Sequence, residues 1–437
     1  MYKLEELNKT EYDKYVVKHK KAHFLESSSW GDFSQKKKHF TTYYMGLFKD
    51  KELVGATLLL KKSLPMGYSY FYSPRGFVVD YEKKDLVEAF TKEVISFTKK
   101  HKSIFFKIDP DIIRKSINFE EKENELNTDP NKVFNMLKSL GYKHLGFTKN
   151  FETNEPRYSF RIDMNLSLEE IEARFSKTTK QRISKAQKLD TIVELGTEKD
   201  VEDFYKLMAL TEDRKDFVAH ELDYYQEIYK IFNNNPNTKA LLFIGKINFD
   251  KTIKSIKDKL DSLNEEINKF PKENLSKSNQ NKVNELQKQI DKNNEDINKY
   301  KEYKDKYGKE LILSGHMILT YGDKAWVVYA GNHNDLSETY VNYLTYYNHI
   351  KYCKEHGIKM YDQFGTIGDL RENNPILGLH EFKKKFGGDY VEFLGEWDYV
   401  TNKFMYFVFT KLVPFYRKIV RKKNKKKLDT EVNEIKK

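Results

Sequence analysis

The chain has 437 residues, of which 39% are hydrophobic and 33% charged, so it can form two or three globular domains and is not a disordered polymer. Its formal net charge is +12, but residues 411–437 alone carry +8, which excludes a uniformly basic nucleic-acid coat and indicates a basic tail. The single cysteine, Cys353, excludes a disulfide framework within the chain.

The N-terminal residues are charged throughout and do not have the pattern of a signal peptide. No stretch reaches the roughly 18 apolar residues that a membrane helix needs. We therefore expect a cytoplasmic protein, or one held at the inner face of the membrane.

The first 165 residues alternate between strand and helix patterns. Alternating apolar residues around a short turn predict a β-hairpin over 41–48 and 53–61. Helical periodicity predicts a helix over 84–99. Further strands are predicted at 68–72, 103–108 and 157–163, and a further helix at 132–140.

A similar order of elements follows from residue 166 to residue 400. Helices are predicted at 168–175, 201–210, 224–232 and 339–356, and strands at 192–195, 240–245, 311–321, 324–330 and 359–364. The simplest interpretation is two mixed α/β units in tandem. We take residues 1–165 as the first domain, 166–400 as the second and 401–437 as the tail.

Residues 249–308 interrupt the second unit with a heptad pattern. Apolar residues recur at alternating spacings of four and three up to Phe270, Pro271 ends the helix, and the pattern resumes at Val283. This predicts an inserted antiparallel coiled-coil arm, each helix roughly 30 Å long. A helix pair packed on the body is the alternative. The arm has 14 lysines and 12 acidic residues, so charge alone would not make it grip RNA.

Seven short segments carry a resemblance to a known family. They are Ser29-Trp30-Gly31 with Lys36, Tyr72-Ser73-Pro74-Arg75-Gly76, Lys107-Ile108-Asp109-Pro110-Asp111, Thr211-Glu212-Asp213-Arg214-Lys215-Asp216-Phe217, Tyr329-Ala330-Gly331, Tyr361-Asp362-Gln363-Phe364-Gly365 and Phe382-Lys383-Lys384-Lys385-Phe386-Gly387-Gly388. Together they resemble the Fem family of peptidoglycan bridge-forming aminoacyltransferases over about residues 20–398. Phe77 replaces a proline that the family usually has, which concerns only the local loop.

The resemblance implies an α+β fold of two tandem acetyltransferase-like (GNAT-type) domains. It implies an aminoacyl-tRNA donor and, as acceptor, the stem-peptide amine of a peptidoglycan precursor, either lipid II or UDP-MurNAc-pentapeptide. Glycine is the favoured amino acid, with alanine and serine open. An aminoacyl ester is already activated, so we expect no cofactor, and the histidines show no metal-ligand spacing.

Two residues are candidates for catalysis. Lys383 matches a functional lysine of the family and precedes a Gly-Gly turn, so we expect it to stabilise the oxyanion of the tetrahedral intermediate. Asp109 matches a carboxylate considered as a general base, and a turn residue before Pro110 is the alternative.

The remaining candidates bind substrate. Lys36 and Arg214 are expected to hold the acceptor's diphosphate, because fixed cations suit phosphate oxygens. Tyr72, Tyr224 and Tyr329 could line the groove for the muropeptide. Phe382, beside Lys383, is also expected to contact substrate.

The tail interleaves apolar and basic residues from Phe404 onwards, and residues 411–428 include nine basic and no acidic residues. This pattern is typical of a segment that lies on an anionic membrane surface. A C-terminal helix packed on the body is the alternative. For the whole chain, the rival to the enzyme is a non-enzymatic adaptor that joins RNA or a partner protein to a membrane through the arm and the tail.

Overall fold

The computed structural model describes residues 1–215, 219–271 and 275–412, with the backbone alone at 212–215. The strands are β1 (Tyr2–Glu6), β2 (Thr41–Lys49), β3 (Glu52–Ser63), β4 (Ser69–Ser73), β5 (Ser103–Ile108), β6 (Ile113–Ile117), β7 (Tyr142–His144), β8 (Tyr158–Asp163), β9 (Thr191–Gly196), β10 (Thr238–Asn248), β11 (Glu310–Tyr321), β12 (Lys324–Asn332), β13 (Met360–Asp362), β14 (Asp389–Phe393) and β15 (Trp397–Val400).

The α-helices lie between these strands and after the last of them. They are α1 (Lys9–Val16), α2 (Ser28–Lys38), α3 (Lys84–Lys100), α4 (Pro130–Ser139), α5 (Leu168–Ala173), α6 (Lys177–Lys188), α7 (Val201–Lys215), α8 (Leu222–Asn233), α9 (Phe249–Ile267), α10 (Lys277–Tyr307), α11 (Val341–Glu355), α12 (Leu377–Lys384) and α13 (Lys403–Phe407). A π-helical turn, Val408–Leu412, continues α13.

The strands form two mixed sheets. The first has the order β1-β2-β3-β4-β5-β15-β7, and the second has the order β6-β14-β8-β13-β12-β11-β10-β9. Most neighbours are antiparallel, with parallel pairs at β4–β5 and β12–β13. The predicted α+β class is confirmed.

The two sheets exchange strands across the domain boundary predicted at residue 165. Strands β6 and β8 precede that residue but pair in the second sheet, and β15, from the end of the second predicted domain, pairs with β5 and β7 in the first. Local patterns predict that a strand forms, whereas its partner is chosen by distant residues. The predicted boundaries therefore follow the order of the two units along the chain. Each sheet, however, contains strands from both sides of residue 165.

The hairpin predicted over 41–48 and 53–61 forms as expected. Strands β2 and β3 pair antiparallel, and the turn between them uses Asp50 and Lys51 with φ angles of 50° and 81°. Strands β10 and β11, which flank the predicted arm, also pair along most of their length. The arm therefore leaves and re-enters the body between neighbouring strands.

Helices α9 and α10 form the predicted helix pair. The side chains between them are buried at Ile256, Leu260, Leu263, Leu286, Ile290, Asn293 and Ile297. The same apolar cluster includes Leu313, Leu336 and Val341 of the body. The base of the arm is therefore part of the body's packing, and the supercoil of the two helices stays a prediction.

The largest apolar cluster joins the two sheets. It contains Leu58 and Tyr72 from the first sheet and Met317 and Trp326 from the second. Helices α2 and α8 pack on each other across the same junction. Three of the predicted substrate-binding residues, Tyr72, Tyr224 and Tyr329, thus belong to this cluster or pack against it.

Candidate active site

Asp109 follows β5 and faces the end of β4. It is 3% exposed, and its Oδ1 accepts hydrogen bonds from the Tyr72 hydroxyl (3.1 Å) and the Arg75 backbone N–H (2.7 Å). Its Oδ2 is buried and has no hydrogen-bond partner among the described residues. Buried polar atoms without a hydrogen-bond partner are uncommon in folded proteins, so Asp109 is a candidate for a role beyond packing.

The turn that presents the Arg75 N–H depends on a glycine. Arg75 and Gly76 have φ angles of 62° and 73°, in the left-handed region. A Cβ on Gly76 would lie 2.6 Å from the Tyr81 hydroxyl and 2.9 Å from Cα of Pro110. Only glycine lets this turn approach the Asp109 segment so closely. The Arg75 guanidinium donates to the carbonyl oxygen of Pro156 at 3.1 Å, which fits a structural role.

Burial raises the pKa of Asp109 to about 8, because the charged carboxylate loses its hydration. The Arg75 guanidinium opposes this rise in the pKa, whereas the carboxylates of Glu155 and Glu396 add to it. A group with a pKa near 8 is populated in both protonation states at neutral pH, which is what a general base requires.

The predicted tyrosines lie close to one another or to the same buried carboxylates as Asp109. The hydroxyl groups of Tyr224 and Tyr329 are 3.0 Å apart, and burial raises the pKa of both. The nearby Glu155 carboxylate also raises the pKa of these two tyrosines and of Tyr72. His220 stacks on the Tyr224 ring with centroids 3.7 Å apart. The structure thus brings the tyrosines and the Asp109 carboxyl to one region.

Lys36 lies in the last turn of α2, on the rim of this region. Its side chain is 56% exposed, and its Nζ lies 2.7 Å from a carboxylate oxygen of Glu227 on α8. Arg214 belongs to α7, but its side chain lies outside the described residues. The diphosphate site predicted from these two cations stays a prediction.

Lys383 is buried in α12. It is 5% exposed, and its ammonium donates hydrogen bonds to the carbonyl oxygens of Phe364 and Gly365, the latter at 2.7 Å. Phe364 and Gly365 have φ angles of 51° and 32°. This left-handed turn aims both carbonyl groups at the lysine.

The turn that holds Lys383 is fixed by Asp362. One Asp362 oxygen accepts the Phe364 backbone N–H at 2.8 Å, and the other accepts the Arg161 guanidinium at 2.8 Å. Arg161 also pairs with Asp111, two residues after Asp109. A line of charged contacts therefore connects the Lys383 turn with the Asp109 segment.

Phe382 lines a cavity of about 460 Å³ in the second unit. Its ring packs against the rings of Tyr343 and Tyr346, with centroid distances of 4.9 and 5.0 Å. The Arg182 guanidinium reaches the same cavity and lies 5.0 Å from the ring centroids of both Tyr340 and Tyr343. The cavity therefore combines aromatic surfaces with a cation.

Several residues of this site were not singled out as candidates from the sequence: Glu155, Arg161, Arg182, His220, Asp362 and Glu396. Asp362 lies in one of the motifs of the resemblance, so a signal for it was present. Arg182 lies in α6, which was not predicted because its lysine-rich pattern has few apolar residues. Glu155 and Glu396 join the site only through long-range folding.

Within residues 1–215, 219–271 and 275–412, no three or more His, Cys, Asp or Glu side chains are grouped so that they could hold a metal ion. In the same part of the chain, no helix is both long and apolar enough to span a membrane.

Known proteins are similar to this chain over most of its length. The lipid II:glycine glycyltransferase of Staphylococcus aureus (strain USA300) is 29% identical over 415 residues, which cover 92% of this chain and 94% of the relative. A second lipid II:glycine glycyltransferase of Staphylococcus aureus is 28% identical over 415 residues, with the same coverage of both chains.

Among solved structures, FemX superposes with a TM-score of 0.76 and 26% identity, covering 92% of this chain and 98% of FemX. The sequence model of the FemAB family matches residues 7–413. These matches confirm the predicted family and the predicted class, an aminoacyltransferase. The chain belongs to the FemAB family.

Proposed function

We propose that the protein transfers glycine from glycyl-tRNA to the stem-peptide amine of a lipid-linked peptidoglycan precursor. The observation that carries this proposal is Asp109, a buried carboxyl group at the end of β5 whose Oδ2 has no hydrogen-bond partner among the described residues and whose pKa burial raises to about 8. A non-enzymatic adaptor has no need of such a group. The relatives' name, lipid II:glycine glycyltransferase, supports the choice of glycine and of the acceptor.

We assign the acceptor to the region of Asp109, Tyr72, Tyr224 and Tyr329, and we call this proposed site the acceptor cleft. The rings of Tyr72, Tyr224 and Tyr329 offer apolar surface with polar tips, which suits a peptide. Lys36 is exposed on the rim, where it can leave Glu227 for a phosphate oxygen. Arg214 is the second cation that we assign to the diphosphate.

The donor's 3′ end occupies the cavity beside Phe382. Arg182 over the rings of Tyr340 and Tyr343 supplies the combination of cation and aromatic surface that binds single-stranded nucleic acid. Lys383 directly follows Phe382 on α12, and its ammonium is held by the carbonyl oxygens of Phe364 and Gly365. This arrangement supports a role for Lys383 at the ester carbonyl.

In the proposed reaction, the acceptor ammonium gives a proton to the Asp109 carboxylate and becomes a nucleophile. Its nitrogen attacks the ester carbonyl carbon, and Lys383 stabilises the oxyanion. The C–N bond forms, the ester C–O bond breaks, and the ribose oxygen of the tRNA leaves with the proton that the attacking nitrogen loses. The ester is already activated, so we infer that no cofactor is needed beyond the aminoacyl-tRNA.

We also infer that the protein works in the cytoplasm at the inner face of the membrane. A lipid-linked acceptor lies at that surface, and the basic tail suits anionic headgroups.

The test is a set of parallel reactions with glycyl-, alanyl- and seryl-tRNA, each with the lipid-linked or the UDP-linked precursor, read by mass spectrometry. We expect the lipid-linked precursor to gain glycine and the other donors to react more slowly. Absence of any amino-acid transfer to either precursor would contradict the proposed function.

A further inference from the structure

The end of the described chain has two different faces. On one face, the rings of Tyr406 and Phe409 pack against Phe105, with centroid distances of 5.6 and 5.9 Å. On the other, Phe404 and Phe407 are 73% and 53% exposed. Large apolar side chains exposed this far, side by side on one helical segment, indicate a surface that another apolar phase covers.

Cations surround these apolar side chains. Lys403 and Lys411 are exposed at the two ends of the segment, and Leu412, 47% exposed, continues its apolar surface. The sequence then adds eight more basic residues and no acidic residue up to Leu428. Apolar rings bordered by lysines suit a lipid bilayer with anionic headgroups, where rings enter the acyl boundary and cations meet phosphates.

A further exposed apolar residue, Met66, lies at the end of the first sheet where α13 packs. Met66, in the turn that precedes β4, is 78% exposed. Strand β4 starts three residues later and runs parallel to β5. Tyr70 near its start contacts Phe409 at a centroid distance of 5.8 Å.

We propose that Phe404, Phe407 and Leu412 form a docking surface for an anionic bilayer, and that docking fixes the acceptor cleft at a set distance from the membrane. This inference rests on the proposed function, from which it takes the lipid-linked acceptor. It adds which surface meets the membrane and how the body is oriented on it.

The first support for the orientation is that strand β4 contacts both Phe409 and Asp109. Tyr70, which contacts Phe409, and Tyr72, which donates to Asp109, are two residues apart, so their side chains share one face about 7 Å apart along the strand. The docking surface and the acceptor cleft therefore lie along the same face of the first sheet.

The second support is a line of buried polar contacts. The Tyr406 hydroxyl donates to Asp398 at 2.8 Å, and the Lys107 ammonium lies 3.1 Å from Asp398 and 2.9 Å from Glu396. The other Glu396 oxygen accepts the backbone N–H of Asn154 at 2.7 Å. Asn154 precedes Glu155, and the carboxylates of Glu155 and Glu396 both raise the pKa of Asp109, so a chain of polar contacts connects α13 with the Asp109 segment.

The test uses the full chain and a double variant, Phe404→Ser with Phe407→Ser. The matched control is Leu195→Ser on β9, at the far edge of the second sheet, where the side chain is 48% exposed. Flotation is measured with vesicles of phosphatidylglycerol and phosphatidylcholine, and with phosphatidylcholine alone. Turnover is measured with vesicle-embedded lipid-linked precursor and with UDP-linked precursor.

We expect the double variant to lose at least about tenfold in binding to the anionic vesicles, and Leu195→Ser to bind as the unchanged chain does. Turnover on the embedded precursor should fall in the same proportion, while turnover on the UDP-linked precursor stays the same. Equal flotation of the double variant and the unchanged chain would overturn the docking surface. Flotation that depends on Phe404 and Phe407, without turnover on either precursor, would contradict the proposed function and leave the docking surface supported.

Discussion

At the scale of single residues, Asp109 is stabilised in its neutral form. Burial raises its pKa from 3.8 to about 8, so folding favours proton uptake between these two values. In this window the folded chain binds more protons than the unfolded chain does. The contribution of Asp109 to the free energy of unfolding is therefore fully present below about pH 4 and is lost as the pH rises to about 8.

Replacing Asp109 with asparagine should remove this pH dependence. The amide oxygen can keep the hydrogen bonds from Tyr72 and Arg75, and the amide carries no charge to bury. We expect Asp109→Asn to match the unchanged chain near pH 4 and to be more stable at pH 9. Its advantage in unfolding free energy should grow by up to about 1.4 kcal/mol per pH unit. Urea unfolding at a series of pH values measures this difference, and parallel curves would contradict the burial of the charge.

Lys383 is expected to affect both turnover and stability. Lys383→Met removes the proposed oxyanion cation, which should lower kcat by about a hundredfold or more. It also leaves the carbonyl oxygens of Phe364 and Gly365 without this donor, which should cost about 1–3 kcal/mol of unfolding free energy.

The matched control for Lys383 is Lys384→Met on the same helix. The Lys384 side chain is 47% exposed and pairs with Glu121, so it should change kcat and stability little. Steady-state kinetics with saturating precursor, together with thermal unfolding, separate the two effects. A Lys383→Met variant that keeps near-normal kcat would contradict its catalytic role.

At the scale of elements, α2 and α8 carry the rim of the acceptor cleft. Lys36→Met should raise KM for the precursor and leave kcat and the KM for the tRNA nearly unchanged, because the lysine is assigned to the diphosphate alone. Lys37→Met is the control, since Lys37 also reaches α8, through Asp223. Equal effects of the two variants on both substrates would indicate damage to the packing of α2 on α8.

A shortened arm tests which part of helices α9 and α10 packs on the body and which part does not. The Lys304–Asp250 ion pair lies at its base, close to the cluster that includes Leu336 and Val341. Replacing residues 261–290 with a short Gly-Ser turn keeps this base. We expect the shortened chain to unfold within a few degrees of the intact chain, and its KM for aminoacyl-tRNA to rise. Unfolding at a much lower temperature would show that the outer half of the arm supports the body.

At the scale of the whole molecule, local patterns predicted most elements and the pairing of β2 with β3, but not the partners that are distant in sequence. The strand predicted at 103–108 is β5, and the helix predicted at 84–99 is α3 within one residue. Short strands such as β7 and β15 were not predicted, because three or four residues carry too little alternation. The placement of β15 between β5 and β7 follows from contacts between residues more than 250 positions apart.

The candidate site was likewise predicted only in part from the sequence. Tyr72, Asp109, Tyr224 and Tyr329 were predicted, and the structure brings them to one region. Glu155 was not singled out, because a glutamate in a polar loop reads as a solvated charge until the fold places it against buried groups. The residues around Lys383 in the sequence also did not indicate that its ammonium binds the carbonyl groups of a left-handed turn.

The most direct test of the account is the single-turnover rate of transfer from radiolabelled glycyl-tRNA to the lipid-linked precursor, measured from pH 6 to pH 9 for the unchanged chain and for Asp109→Asn. We predict that the rate of the unchanged chain rises with pH and levels off near pH 8, as the Asp109 carboxylate forms. The variant should be slower by about a hundredfold at pH 8 and should show no such plateau. Transfer by Asp109→Asn at the rate of the unchanged chain, or no glycine transfer by either protein, would contradict the account.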